Sequence, residues 1–151
     1  MTDARAAQTR FDELVGTTGY MTLATADSAG DPWASPVWFA SVDRREFLWV
    51  SSPDARHSQN IAARPEVAIA IFDSRQPPGT GAGAYIAATA TQVADADVAD
   101  AVATYSRLSL EGGAWAWTRA DVRAPARLRL FRAVARERWI LSSDDERLAV
   151  P

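Results

Sequence analysis

Cysteine and lysine are both absent from this chain, and histidine occurs once. Without cysteine there is no disulfide, no thiolate nucleophile and no Cys-ligated metal. Without lysine, Schiff-base chemistry and a Walker-type phosphate loop have no residue to run on; all 16 basic side chains are arginine. The single histidine, His57, rules out poly-histidine metal centres and leaves one imidazole for any catalytic dyad. Long hydrophobic runs are missing too, and those present are strand-sized, so no membrane span is expected. A net charge of −3 with no basic block argues against a nucleic-acid binder. The opening Met1-Thr-Asp-Ala-Arg5 lacks a signal-peptide pattern, so a cytoplasmic location is expected. What these absences leave is chemistry carried by a borrowed cofactor acting on a small-molecule substrate.

What is present reads as one globular domain over residues 1–151, with 48% hydrophobic and 23% charged residues. Ala7, Phe11, Leu14 and Val15 share a helical face that ends near Gly16. Strands are predicted at 20–26, 33–41 and 47–51, close enough in sequence to suggest an antiparallel meander. In the second of these, Trp33, Val37 and Phe39 face one way, Pro36 and Trp38 the other. A short helix is predicted to start at Ser52 as N-cap and Pro53 as first residue, and to stop before Pro65. A fourth and a fifth strand are read at 67–72 and 84–93, the first buried on nearly both faces. A helix at 95–108 and a long strand at 127–141 follow, and the tail to Pro151 is expected to fray. Short strands with few helices between them read as a closed or nearly closed barrel.

Ser51-Ser-Pro-Asp-Ala-Arg-His57 is the most informative stretch. Arg56 and His57 lie near the positive end of a helix dipole, which disfavours cations unless an anion such as phosphate sits there. The alternative is a solvated arginine beside a surface histidine. Gly79-Thr-Gly81-Ala-Gly83 leads into a strand, so it does not make a dinucleotide fingerprint, which needs a helix after it. The acidic residues fit turns and helix starts better than acid–base pairs. Trp38 and Trp49 are expected in the barrel, with Trp115, Trp117 and Trp139 packing internally or anchoring a partner.

Three stretches carry a family resemblance. They are Leu23-Ala-Thr-Ala26 with a Gly turn and Asp31-Pro-Trp-Ala-Ser-Pro-Val-Trp-Phe39; Leu48-Trp-Val-Ser51; and Ala55-Arg-His-Ser-Gln-Asn-Ile-Ala-Ala-Arg-Pro-Glu-Val67. Together they resemble the pyridoxamine 5'-phosphate oxidase-like FMN-binding split β-barrels. The resemblance implies a mainly β fold, a six-stranded antiparallel split barrel with a few helices, and a homodimer holding its cofactor between subunits. It places the flavin phosphate at the strand end Val50-Ser51 and at Arg56 and His57, where the family has Ser-Arg-Lys and this chain has Ala55-Arg-His57. It lays the flavin ring against Pro36, Val37 and Trp38. The oxidase's basic residues are absent at Ser35 and Ala40, and so is its C-terminal Arg-x-His motif, so pyridoxamine phosphate oxidation itself is not implied. The expectation is an FMN-dependent oxidoreductase or reductase. The alternatives are a deazaflavin-dependent reductase, a non-catalytic flavin carrier or sensor, and a barrel with no flavin.

Overall fold

The computed structural model describes residues 2–151; Met1, with which the expected domain and the signal-peptide reading begin, lies outside them. Helix α1 (Thr2–Thr17) precedes strands β1 (Tyr20–Ala26), β2 (Pro32–Trp38), β3 (Ala40–Val42) and β4 (Glu46–Ser51). Helix α2 (Arg56–Ala63), strands β5 (Glu66–Phe72) and β6 (Gly83–Gln92), and helix α3 (Val98–Glu111) follow. A 3-10 helix (Arg119–Val122), β7 (Arg129–Leu141) and β8 (Arg147–Ala149) complete the chain. The strands form one antiparallel sheet in the order β2-β1-β5-β6-β7-β4-β3, with β8 paired to β7.

The expected meander is corrected by this order. The single strand predicted at 33–41 bends at Phe39, so its first half pairs with β1 and its second half with β4. The two ends of the sheet are therefore covalent neighbours, and the sheet curls into a split barrel. Eight strands replace the expected six: the bend divides one strand, and the tail is ordered rather than frayed. Residues 147–149 extend the sheet at β7, and Val150 is buried at 7% exposure.

Alternation along each strand builds the interior. Met21 and Leu23, Phe47 and Trp49, Ile69 and Ile71, and Phe131 and Ala133 point inward and pack with Phe11 of α1. The inward residues of β6 are Ala84, Ile86, Ala88 and Ala90, whose small side chains leave room for the larger rings opposite. On the outer surface, α3 lays Val98, Val102 and Tyr105 against Leu48 and Leu130. β5 is not buried on both faces as expected: Val67, Ile69 and Ile71 are inside, while Ala68 and Phe72 are exposed. A bulge between the Ala87–Glu137 and Ala88–Ala135 pairs shifts the register on β7. Beyond it Arg138 turns inward, its guanidinium 5.3 Å from the Phe11 ring centre and one N–H donated to the Arg44 carbonyl at 3.2 Å.

Among the described residues, no helix is long and apolar enough to cross a membrane. Because Phe11 is fully buried where α1 closes the barrel, Phe11→Ala is expected to cost about 3–5 kcal/mol. Leu110→Ala, on the exposed side of α3, should stay within about 0.5 kcal/mol. Urea unfolding of both variants checks this, and equal midpoints would mean that α1 does not hold the barrel closed.

Candidate functional site

One end of the barrel is plugged by α2, and the turn that delivers it sets the site. β4 stops at Ser51, and Ser52–Ala55 makes a turn closed by the Ala55 N–H on the Ser52 carbonyl at 3.2 Å. The helix begins at Arg56, not at the predicted Pro53. Ser52 is engaged in that turn, its hydroxyl accepting from the Asp54 N–H at 3.2 Å, and it caps nothing; Ala55 holds the N-cap position without a side-chain bond. The first-turn N–H groups of Arg56, His57 and Ser58 consequently have no acceptor among the described residues. Such a helix start attracts anions.

The buried face of α2 is pinned at several points. Asn60 donates to the Thr25 hydroxyl at 3.0 Å, and Ser58 donates to the Ser52 carbonyl at 2.7 Å. Arg64 reaches the Ser28 carbonyl at 3.3 Å. His57 is 8% exposed, and its Nε2 lies 2.7 Å from Ser51 Oγ. Burial pushes the His57 pKa down and favours the neutral ring. The alternative of a surface histidine is thereby corrected: the ring is buried and in contact with Ser51.

Arg56 extends over Trp33 of β2, its guanidinium carbon 4.4 Å from the ring centre. Stacking holds the fork flat while leaving its edge N–H groups to solvent. The nearby Asp27 carboxyl is held below the usual range, chiefly by the Asp31 N–H, with smaller contributions from the Ala29 and Gly30 N–H groups and from Arg56.

Sequence reasoning missed one residue here. Arg129 opens β7 directly opposite Ser51 in the β4–β7 register, so the two side chains share a face of the sheet. Its Nη1 donates to the Ala126 and Leu128 carbonyls, each at 2.7 Å. Strand patterning placed an arginine near the start of this strand, but only the pairing register brings it to Ser51.

The residues expected to hold the ring divide between the two faces of β2. Val37 is 8% exposed and belongs to the barrel interior. Pro36 faces outward into a cavity of about 420 Å³ shared with Tyr20, Thr22, Ala70 and Phe72. Trp38 also faces outward, edge-on to Tyr105 with ring centres 5.7 Å apart. Val50 is half-buried beside α3. Of the tryptophans, Trp49 is fully buried and stacks on Phe131, whereas Trp115 is 70% exposed and leans on Trp117. No group of three or more metal-ligating side chains occurs among the described residues.

A curled antiparallel sheet whose ends join through one bent strand, plugged by a short helix, defines the split-barrel class. A sequence profile described as pyridoxamine 5'-phosphate oxidase matches residues 7–141, and the chain belongs to that family. Similar solved structures include a heme binding protein from Mycobacterium smegmatis, at 20% identity and TM-score 0.72, over 93% of this chain and 55% of that one. The chain thus spans little more than half the length of that protein. The heme storage protein HutZ from Vibrio cholerae aligns at 19% identity and TM-score 0.66, over 85% of this chain and 89% of that one. An F420 reductase aligns at 18% identity and TM-score 0.62, over 87% and 95%. No curated protein matches the sequence.

The depressed pKa of His57 has a consequence for stability. The unfolded chain, with a histidine pKa of about 6.5, takes up a proton at a higher pH than the folded one. Stability is therefore full above that pH and falls as pH drops through the lower, folded-state value. Unfolding midpoints should decline below about pH 6.5, and His57→Gln should flatten that part of the profile; an equal decline in both proteins would assign it to carboxylates.

Proposed function

We propose that this protein binds FMN and is a flavin-dependent oxidoreductase of a small-molecule substrate. The observation that carries the reading is Arg56, stacked on Trp33 beside the acceptor-free N–H groups of α2. That combination suits a terminal phosphate: a preoriented bidentate fork and backbone donors belong to the same helix start. Ser51, and Arg129 across the register, add polar donors at the same end. The family membership supports a flavin over other phosphorylated ligands.

In this reading the flavin supplies hydride or electron transfer when bound. The chain's own part is to bind and orient. Arg56 and the first turn of α2 hold the phosphate. β2 presents its backbone and the outward side chains of Pro36 and Trp38 to the ring, and Val37 supports them from inside the barrel. No side chain acts as acid or base in this scheme.

A deazaflavin is the second reading, favoured by the structural similarity to an F420 reductase. Haem, which two of the similar proteins bind by name, suits the side chains less well. His57 is buried and hydrogen-bonded through Nε2, Met21 is 1% exposed, and there is no cysteine to serve as axial ligand.

We also propose a two-fold homodimer. The outer face of β2-β1-β5-β6 carries Ala34, Ala24, Ala68 and Ala87 in one row across the register. Tyr20 at 63% and Phe72 at 53% exposure flank it. An apolar face of small side chains lets two copies approach closely, as an isologous interface needs. Light scattering should give twice the chain mass at micromolar concentration, and a monomer mass throughout would refute the dimer.

The phosphate assignment is tested at Arg56. Losing a charge-assisted hydrogen bond of about 1.5–3 kcal/mol should weaken FMN binding by roughly one to two orders of magnitude. Riboflavin, which lacks the phosphate, should bind Arg56→Ala as it binds the unaltered protein. Calorimetry that finds equal losses for both ligands would remove the phosphate from this helix.

A further inference from the structure

The Gly79-Thr-Gly81-Ala-Gly83 run, which makes no dinucleotide loop, belongs to the β5–β6 connection and roofs a cavity of about 790 Å³. The cavity lies at the end of the barrel that α1 closes, ringed by the last residue of β5, the first of β6 and the last of β7. α2 sits at the other end, where the Ala90 N–H of β6 meets the Pro65 carbonyl at 2.8 Å. The volume falls within the range of about 300–1,000 Å³ usual for small-molecule sites.

Two successive turns shape the roof. In the first, the Gln76 N–H donates to the Asp73 carbonyl at 3.3 Å, while the Asp73 carboxylate accepts from Arg75 Nε at 2.9 Å and Gln76 Nε2 at 3.2 Å. In the second, the Thr80 N–H donates to the Pro77 carbonyl at 3.1 Å. Pro78 and Gly79 fill the middle of that turn, and the φ of 80° at Gly79 is the left-handed value that a type II turn requires. One wall is the ring of Tyr85. A Cβ on Gly83 would stand 3.3 Å from Tyr85 Oη and 3.4 Å from its Cε2, so the bare backbone there lets the ring lie over it. The Arg147 guanidinium holds the same ring, 5.3 Å from its centre.

Charge decides what fits. Three charged residues line the cavity: Arg10, Asp73 and Asp145. Asp73 is already paired with Arg75. Arg10 donates one N–H to the Leu141 carbonyl at 2.7 Å, which ties its guanidinium to the end of β7. It forms no ion pair among the described residues, so its other N–H groups are open to an acceptor. Asp145 is exposed on the β7–β8 hairpin. Phe72, Pro77, Pro78 and Tyr85 supply apolar surface.

We propose that this cavity binds a small organic monoanion with an apolar, ring-sized body. The acid group meets Arg10, and the body lies against Tyr85 and the two prolines. Asp145 opposes a second acid group on the same ligand, which sets a monoacid apart from a diacid. The site lies apart from α2 and does not depend on a flavin.

Anilinonaphthalene sulfonate, one negative charge on an aromatic body, probes the site directly, and uncharged phenylnaphthylamine is its control. The flavin-free protein should bind one sulfonate per chain, saturably, read by the rise in probe fluorescence. Arg10→Gln, which can still donate to the Leu141 carbonyl, should weaken the sulfonate by about tenfold or more, as loss of one charge-assisted hydrogen bond does. It should leave the uncharged probe as it was, and Arg10→Lys should recover part of the loss. Arg5→Gln, at an exposed position of the same helix, should change neither. In the unaltered protein naphthoate should displace the sulfonate, and naphthalene dicarboxylate should do so less well. Absence of saturable binding overturns the proposal. So does an Arg10→Gln variant that binds both probes as before or loses both equally, or an equal loss in Arg5→Gln. Equal displacement by the diacid removes the selection for a single charge.

Discussion

The Phe39 N–H donates to the Gly19 carbonyl at 3.1 Å, at the place where the first and last strands of the sheet meet. There the chain leaves β1's partner strand and begins β4's, and the Phe39 ring packs inward against Phe47 with centres 5.8 Å apart. If the strand ran straight, the sheet would stay open and present two long edges to solvent, a standing risk of wrong pairing. The bend turns an eight-stranded sheet into a barrel with a defined interior. It also defines two ends for that interior, and the functional reading concerns the end that α2 fills.

The site follows from this closure in a chain of physical steps. Closing the barrel aims the odd-numbered residues of β4 inward, so Ser51 ends its strand at the rim of the interior. The tight Ser52–Ala55 turn brings α2 back across that rim, where Asn60 and His57 are buried against Thr25 and Ser51. Arg56, one residue earlier, falls outside and finds Trp33. A turn residue longer or shorter would rotate α2 by about 100° and exchange the buried imidazole for the exposed guanidinium. The length of this turn thus matters as much as the identity of the residues it connects.

The chain belongs to the pyridoxamine 5'-phosphate oxidase family. The similar structures are named for haem binding, haem storage and F420 reduction, so the barrel alone does not define a ligand. Local side chains must do so. In this chain they comprise arginines, one engaged histidine and no lysine, a set suited to an anion and poorly suited to coordinating a metal.

Much was legible from the residues themselves. Alternation in Tyr20–Ala26 and the heptad-like spacing of Ala7, Phe11 and Leu14 determined strand and helix, because both periods are local properties of the backbone. The proximity of Ser51, Arg56 and His57 was also legible, since few residues separate them. Three features were not. The bend at Phe39, the pairing of the tail with β7, and the placement of Arg129 opposite Ser51 all depend on contacts between distant segments. The start of α2 was misplaced because Ser52-Pro53-Asp54 suits a tight turn as well as a helix cap, and the strand it must leave decides between them. Sequence by itself determined the elements, the inward and outward faces and the shortage of reactive side chains. Tertiary structure alone decided which faces meet and whether a polar group is already bonded, because register and burial belong to the closed barrel and to no single segment.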